Sequence, residues 1–271
     1  MRSELGDLFR SRELLWSLVV RDLKVRHRGT FLGMLWSLAT PLLIVGLYYV
    51  VFKFILGALP VTDLPRPDGQ AVPFAIYFFC GLTLWNFFSG SLSGATGSVV
   101  GSSYLLRKVY FPRAILPLSA VLSGLVTFLF ELAVLLVTVM LFVGLPTVTF
   151  LWVPVIVLVV GVQAFGFALV LSAATVFLRD VAHFISVLLQ LWFWSTPVVY
   201  SLLFVAPRPA MLRMVKLNPM TGAVVSFRNV VLLGHNPSFG LLGYSLAFGL
   251  VMVTVGFVVF HRCQKLFPEI V

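Results

Sequence analysis

Charge is scarce in this chain of 271 residues: Asp, Glu, Lys and Arg together make up 10 %, against about a quarter in an ordinary globular domain. Hydrophobic residues make up 60 % and the mean hydropathy is +1.07. A soluble fold of this size cannot hide that much apolar surface, whereas a bilayer can. A soluble enzyme and an intrinsically disordered chain are therefore excluded. Cysteine is nearly missing. Cys80 sits in an apolar stretch and Cys263 in a basic tail, so a disulfide scaffold is excluded as well. No Gly-Lys pair occurs, so the chain has no GxxxxGK[ST] phosphate loop and no ATP site of that kind. The four histidines, His27, His183, His235 and His261, lie mostly at the ends of apolar stretches and show no metal spacing. Acidic residues number nine. Asp63 and Asp68 share a short Pro-rich loop with Arg66 and read as turn residues, not as a catalytic pair. The two halves show no repeat of the kind many ATP-independent carriers carry.

Long apolar runs fill the chain instead. Phe31 to Phe52 is 22 residues without a charge, and Leu145 to Leu178 is uncharged throughout. A helix needs about 20 apolar residues to cross the hydrocarbon. Six spans are predicted, roughly 32–56, 74–98, 115–142, 150–177, 184–204 and 238–260. No period-2 alternation points to a β-barrel. Six spans place both ends of the chain on one side. Thirteen cations fall on that side, seven of them in the first 30 residues, and five fall on the other. The positive-inside rule then puts both termini in the cytoplasm. Lys53 remains at the outer end of the first span, as a snorkelling ammonium. The first residues carry Glu4, Asp7, Glu13 and Asp22 and do not read as a signal peptide. Glu131 is the only carboxylate within a span; it must be protonated or hydrogen-bonded inside the bundle, and a proton-coupled carrier would want more such groups.

Three segments are not spans. Residues 4–28 have helical spacing, with Leu5, Leu8, Phe9, Trp16, Val19, Val20 and Leu23 on one stripe. They predict an amphipathic helix in the membrane interface, either a plain topology anchor or a brace that also touches a partner. Residues 101–113 predict a short basic, aromatic helix stopped by Pro112, resting either on anionic lipid or on a cytoplasmic protein. Residues 205–237 predict two short outer helices, near 209–216 and 219–233, the second started by Asn218 as cap and Pro219 in the first turn. Either they dip into the outer leaflet or they pack against the bundle.

Aromatic residues are abundant, with 26 Phe, 7 Tyr and 6 Trp. The first span carries Trp36, Tyr48, Tyr49 and Phe52, and the fifth carries Trp192, Phe193, Trp194 and Tyr200. Sugar rings present apolar C–H faces that lie well on aromatic rings, and their hydroxyls meet Tyr and Trp polar edges. The same residues also suit lipid contact and core packing.

Five motifs in order give the chain a resemblance. The first is Arg21-Asp22-Leu23-Lys24-Val25-Arg26-His27-Arg28-Gly29-Thr30, continuing through Leu32-Gly33 and Trp36 to Pro41. The others are Tyr110-Phe111-Pro112-Arg113 with Leu116-Pro117-Leu118, then Phe177-Leu178-Arg179-Asp180, Ser195-Thr196-Pro197 and Leu217-Asn218-Pro219. Over nearly its whole length the chain resembles the permease subunit of ABC-2-type polysaccharide exporters, the group that moves O-antigen, teichoic acid and related lipid-linked glycans.

The resemblance implies an all-α integral membrane protein of the inner or plasma membrane. Residues 1–30 would form an interface helix and 31–271 a transmembrane domain. Two copies would join two copies of a separate cytoplasmic ATPase, which holds the ATP and magnesium. Segment 101–113 would be the coupling helix seated in that ATPase, through Tyr104, Arg107, Lys108, Tyr110 and Arg113. The outer helices, about 207–235, would form a gate with Asn218, Pro219 and Arg228. The glycan path would run along spans one and five, past the eight aromatic residues above. The substrate would be a glycan on a polyprenyl diphosphate, whose charge Arg26 and Arg28 would attract at the entrance, unless those two only set topology. A small-lipid or drug exporter of the same permease type is the nearest alternative.

Overall fold

The computed structural model describes residues 11–26, 36–55, 72–108 and 111–270, and all regular structure among them is helical. Helix α1 (Arg12–Arg26) comes first. Helix α2 (Trp36–Val50) widens at its end into a π-helical stretch, Val51–Ile55. Helix α3 (Phe74–Thr96) is followed by a 3-10 turn, Val100–Ser102, and the short α4 (Ser103–Lys108). Then come α5 (Ile115–Phe142) and α6 (Val153–Phe177), the latter entered through the 3-10 turn Val148–Trp152. Four shorter helices follow: α7 (Val181–Ser195), α8 (Leu202–Val205), α9 (Pro209–Leu217) and α10 (Pro219–Arg228), the last extended by a π-helical stretch, Asn229–Leu233. Helix α11 (Phe239–Cys263), a 3-10 turn Gln264–Leu266 and α12 (Phe267–Ile270) end the chain.

Four of these segments are long and apolar enough to cross a membrane: Phe74–Thr96, Ile115–Phe142, Val148–Phe177 and Phe239–Leu266. They coincide with the second, third, fourth and sixth predicted spans. The fifth prediction, a continuous helix over 184–204, is corrected. Helix α7 stops at Ser195, and after 15 residues it is about 22 Å long, short of the ~30 Å hydrocarbon core. The cause is local. Pro197 has no N–H to continue the helix and drives the residue before it out of the α region. Thr196 is accordingly extended, with φ −94° and ψ 138°. The described part of the first predicted span, residues 36–55, is the apolar α2 with its π-helical end.

Helix α3 lies in the middle, buried along most of its length and packed by α2, α5, α6, α7 and α10. The closest pair is α6 and α11. A Cβ on Gly166 would lie 2.6 Å from the α11 backbone at Met252 and Val253, and one on Gly256 would lie 2.6 Å from the Gly166 carbonyl. Lipid tails are as apolar as leucine, so such helices associate through close contact, which small residues permit. Helices α5 and α11 leave wide apolar faces uncovered, Leu141, Phe142, Leu250 and Val251 among them, as contact with lipid requires.

A second, smaller core closes the end of the bundle where α1 and α4 lie. It joins Leu18 of α1 with Leu106 of α4, Phe111, Ile115, Val176, Phe260 and Phe267. Helix α1 thus packs through Leu18 and Val19, both buried, while Trp16 is 63 % exposed. The predicted stripe included Val19 but omitted Leu18, and its residues Leu5, Leu8 and Phe9 lie outside the described residues.

Candidate transport path and coupling surface

Helix α10 is tied at both of its ends to the turn that follows α7. At its start, Asn218 caps the helix: its Oδ1 accepts from the Met220 N–H at 3.0 Å. The same oxygen accepts from Trp192 Nε1 at 3.0 Å, and its Nδ2 donates to Thr196 Oγ1 at 2.8 Å and Ser195 Oγ at 3.3 Å. The Ser195-Thr196-Pro197 and Leu217-Asn218-Pro219 motifs are therefore one structural unit. Pro219 contributes its carbonyl, which accepts from Ser245 Oγ at 2.5 Å and from Gln163 Nε2 at 3.3 Å. At the far end of α10, Arg228 is fully buried. Its Nε donates to the Tyr77 carbonyl at 3.2 Å, and its Nη1 to the Tyr77 hydroxyl at 2.9 Å and the Pro197 carbonyl at 2.6 Å. Its Nη2 donates to the Val198 carbonyl. The guanidinium lies 3.7 Å from the Tyr77 ring centroid, in a slot left open by Gly81. Three carbonyls and a phenol thus meet a planar fork of donors, the arrangement a buried guanidinium needs.

Of the predicted outer helices, α9 lies on the surface, with Met214 and Leu217 exposed. Helix α10 is part of the core, with Met220, Ala223, Val224 and Phe227 buried. Replacing Asn218 by Ala removes a cap worth about 1 kcal/mol and also unties Trp192 and Thr196. A lower thermal midpoint in detergent is the expected result, with Asn218→Asp retaining more of it than Asn218→Ala.

The aromatic candidates divide between two environments. Trp192 is half-buried in a ring cluster, with centroids 5.1 Å from Phe88 and 5.3 Å from Phe167. Phe193 sits 5.7 Å from Trp85. Trp194 is 49 % exposed, and Tyr200 donates to its carbonyl at 3.3 Å. Tyr48 links the two candidate helices, 6.1 Å from Trp194 and 4.8 Å from Phe78. Tyr49 pairs with Lys53, which reaches its hydroxyl at 2.7 Å. The side chains of Trp36 and Phe52 lie outside the described residues.

At the opposite end, α1 meets the stretch before α4. Arg21 pairs with Asp22 at 2.9 Å and donates to Ser102 Oγ at 3.2 Å, while Ser119 Oγ of α5 donates to Asp22 at 3.2 Å. Helix α4 turns Leu106 inward and leaves Tyr104 67 % exposed. Lys108, also exposed, reaches the Tyr104 hydroxyl at 2.8 Å and lies 4.4 Å from its ring centroid. Of the five predicted coupling residues, Tyr104 and Lys108 share this outward face. Arg113 turns inward and donates to the Gln264 carbonyl. The side chain of Arg107 and all of Tyr110 lie outside the described residues, as do Arg28 and the side chain of Arg26.

Within the bundle, Glu131 is buried and accepts from Asn86 Nδ2 at 3.2 and 3.4 Å. A buried carboxylate with a donor of this kind has a structural reason to be there.

A model of the family described as ABC-2 type transporter matches residues 13–232. The chain belongs to that family. Its whole length also aligns with named relatives. It is 32 % identical over 263 residues to the O-antigen export system permease protein RfbA of Myxococcus xanthus, covering 97 % of each chain. Two proteins of the same name from Klebsiella pneumoniae are each 27 % identical over 271 residues, covering 100 % of this chain and 98 % of theirs.

The ABC-2 match runs from α1 into the π-helical stretch after α10, so it takes in both the Arg21–Asp22 pair and the Asn218 and Arg228 ties. Sequence reasoning missed Tyr77, Gly81, Asn86 and Gln163. Arg228, by contrast, was among the residues named from the sequence, as the single charge in the apolar stretch Met220 to Leu233.

Proposed function

We propose that this chain is the membrane-spanning subunit of an ATP-driven ABC exporter that moves a polyprenyl-diphosphate-linked polysaccharide across the inner or plasma membrane. The observation that carries this is the full-length similarity to an O-antigen export permease, 32 % over 97 % of both chains. Two copies form the conduit, and each binds one copy of a cytoplasmic ATPase that supplies the ATP and magnesium. The end bearing α1 and α4 faces the cytoplasm, which the positive-inside count supports. Six crossings follow, with α2 and the segment from α7 through α8 as the first and fifth. Residues 1–30 form the interface element and 31–271 the transmembrane domain.

Each site residue then has a role. Tyr104, Arg107, Lys108, Tyr110 and Arg113 belong to the coupling segment, with Tyr104 and Lys108 on its docking face. ATPase closure becomes rigid-body motion of the helices through that segment. Trp36, Tyr48, Tyr49, Phe52, Trp192, Phe193, Trp194 and Tyr200 line or support the glycan path, where many weak stacking contacts let a polymer slide. Arg26 and Arg28 draw in the diphosphate. Asn218, Pro219 and Arg228 hold the outer gate.

The experiment is reconstitution of the permease with its co-purifying ATPase in proteoliposomes carrying lipid-linked glycan. Transfer to the opposite face that requires ATP and magnesium is expected, and Arg26→Glu with Arg28→Glu should slow it. No ATP-dependent transfer rejects the function. Transfer unchanged by the charge reversals removes Arg26 and Arg28 from the path.

A further inference from the structure

The core beneath α4 is assembled from distant parts of the chain, with Leu169, Ala173 and Val176 of α6 at its base. Leu18 comes from α1, Leu106 and Phe111 from the coupling stretch, and Phe260 and Phe267 from the end of α11 and the segment after it. Phe267 has no exposed surface, and its ring stands edge-on to Phe260 with centroids 5.3 Å apart. Helix α12, which begins with Phe267, lies against α4 and α6. Arg113, which follows the coupling stretch, donates to the carbonyl of Gln264 in the turn leading to α12. Phe267, the first aromatic residue of segment 264–270, is as deeply buried as any described residue in the bundle.

A helix of six residues has no stability of its own, because nucleation costs more than so few hydrogen bonds return. The direction α4 faces is therefore set by what its inner side rests on. On one flank, Arg21 of α1 holds Ser102 just before the helix starts. On the other, the segment after α11 supplies Phe267 and the Gln264 carbonyl. Between these two supports, Tyr104 and Lys108 project outward as a pair.

We propose that segment 264–270 is a brace for the coupling helix: Phe267 and the Arg113–Gln264 bond fix the angle at which α4 presents Tyr104 and Lys108 to the ATPase subunit. This rests on the reading of α4 as the docking helix. Phe267 and Gln264 act through α4, so they are positioning residues and make no contact with the ATPase themselves.

The test uses the full-length permease in nanodiscs, with two readouts: backbone hydrogen exchange over 103–108 in the permease alone, and affinity for the ATPase subunit. Phe267→Ala and Arg113→Ala should each speed exchange over 103–108, by tenfold or more for Phe267→Ala, while α3 keeps its wild-type protection. Phe267→Ala should weaken ATPase binding at least tenfold, and Phe267→Leu, which refills the space, should restore both readouts. Wild-type exchange over 103–108 in both alanine variants overturns the brace, as does faster exchange spread equally through α3 and α6. A control separates this from the underlying reading. If Tyr104→Ala with Lys108→Glu weakens binding while the brace variants do nothing, the brace alone fails. If that pair leaves binding unchanged, the docking reading fails and the brace loses its role with it.

Discussion

Arg228→Leu is expected to lower the thermal midpoint sharply and to reduce the folded permease recovered from the membrane. The substitution takes the guanidinium donors away from the Tyr77 hydroxyl and from the Pro197 and Val198 carbonyls, while the Tyr77 carbonyl keeps its place in the α3 helix. Each buried acceptor left unpaired costs about 1–3 kcal/mol, and relief from burying the guanidinium offsets part of the sum. A net loss of about 3–5 kcal/mol is the expected outcome, the sum over the acceptors that lose their donor less that relief. Arg228→Lys should recover only part, because an ammonium is a point charge and cannot reproduce the planar fork that meets two adjacent carbonyls and a phenol. Gly81→Ala attacks the same place from the other side. Its Cβ would stand 3.0 Å from the guanidinium carbon, so the arginine would have to leave its slot. Thermal unfolding in detergent checks all three, and a wild-type midpoint for Arg228→Leu would show that the guanidinium does not hold the turn after α7.

Tyr104→Ala combined with Lys108→Glu should do the opposite: leave the fold intact and abolish ATP-driven export. The two side chains are exposed and bond to one another. Surface changes of that kind usually move stability by no more than about 0.5 kcal/mol. On a six-residue helix, however, they remove the projecting ring and reverse the charge that stands beside it. Export should fall at least tenfold, and the ATPase should no longer co-purify, with the amount of permease in the membrane unchanged. Wild-type export would mean that α4 does not carry the coupling.

The long helices were legible because their signal is local and repeated: α3, α5, α6 and α11 are uncharged or nearly so over more residues than a crossing needs. The bounds of α9 and α10 were legible for a different local reason, since Pro209 and the Asn218-Pro219 pair mark helix starts. The break at Ser195 was not read, because hydropathy runs on unchanged through Pro197 and only backbone sterics stop the helix there. Side-chain pairings over long separations were not legible at all. Nothing near Arg228 in sequence points to Tyr77, 151 residues away, and nothing near Glu131 points to Asn86. Composition marked Trp192 and Trp194 as equivalent. The helical phase separates them, turning one toward Asn218 and the other half outward.

The most direct measurement is mass spectrometry of the inner-membrane lipids after this protein is depleted from its own cells. A polyprenyl-diphosphate glycan is expected to accumulate while its surface form disappears, which would also name the polymer. Intact surface glycans with no such accumulation would contradict that expectation and would leave export of a small lipid or a drug as the work of this permease.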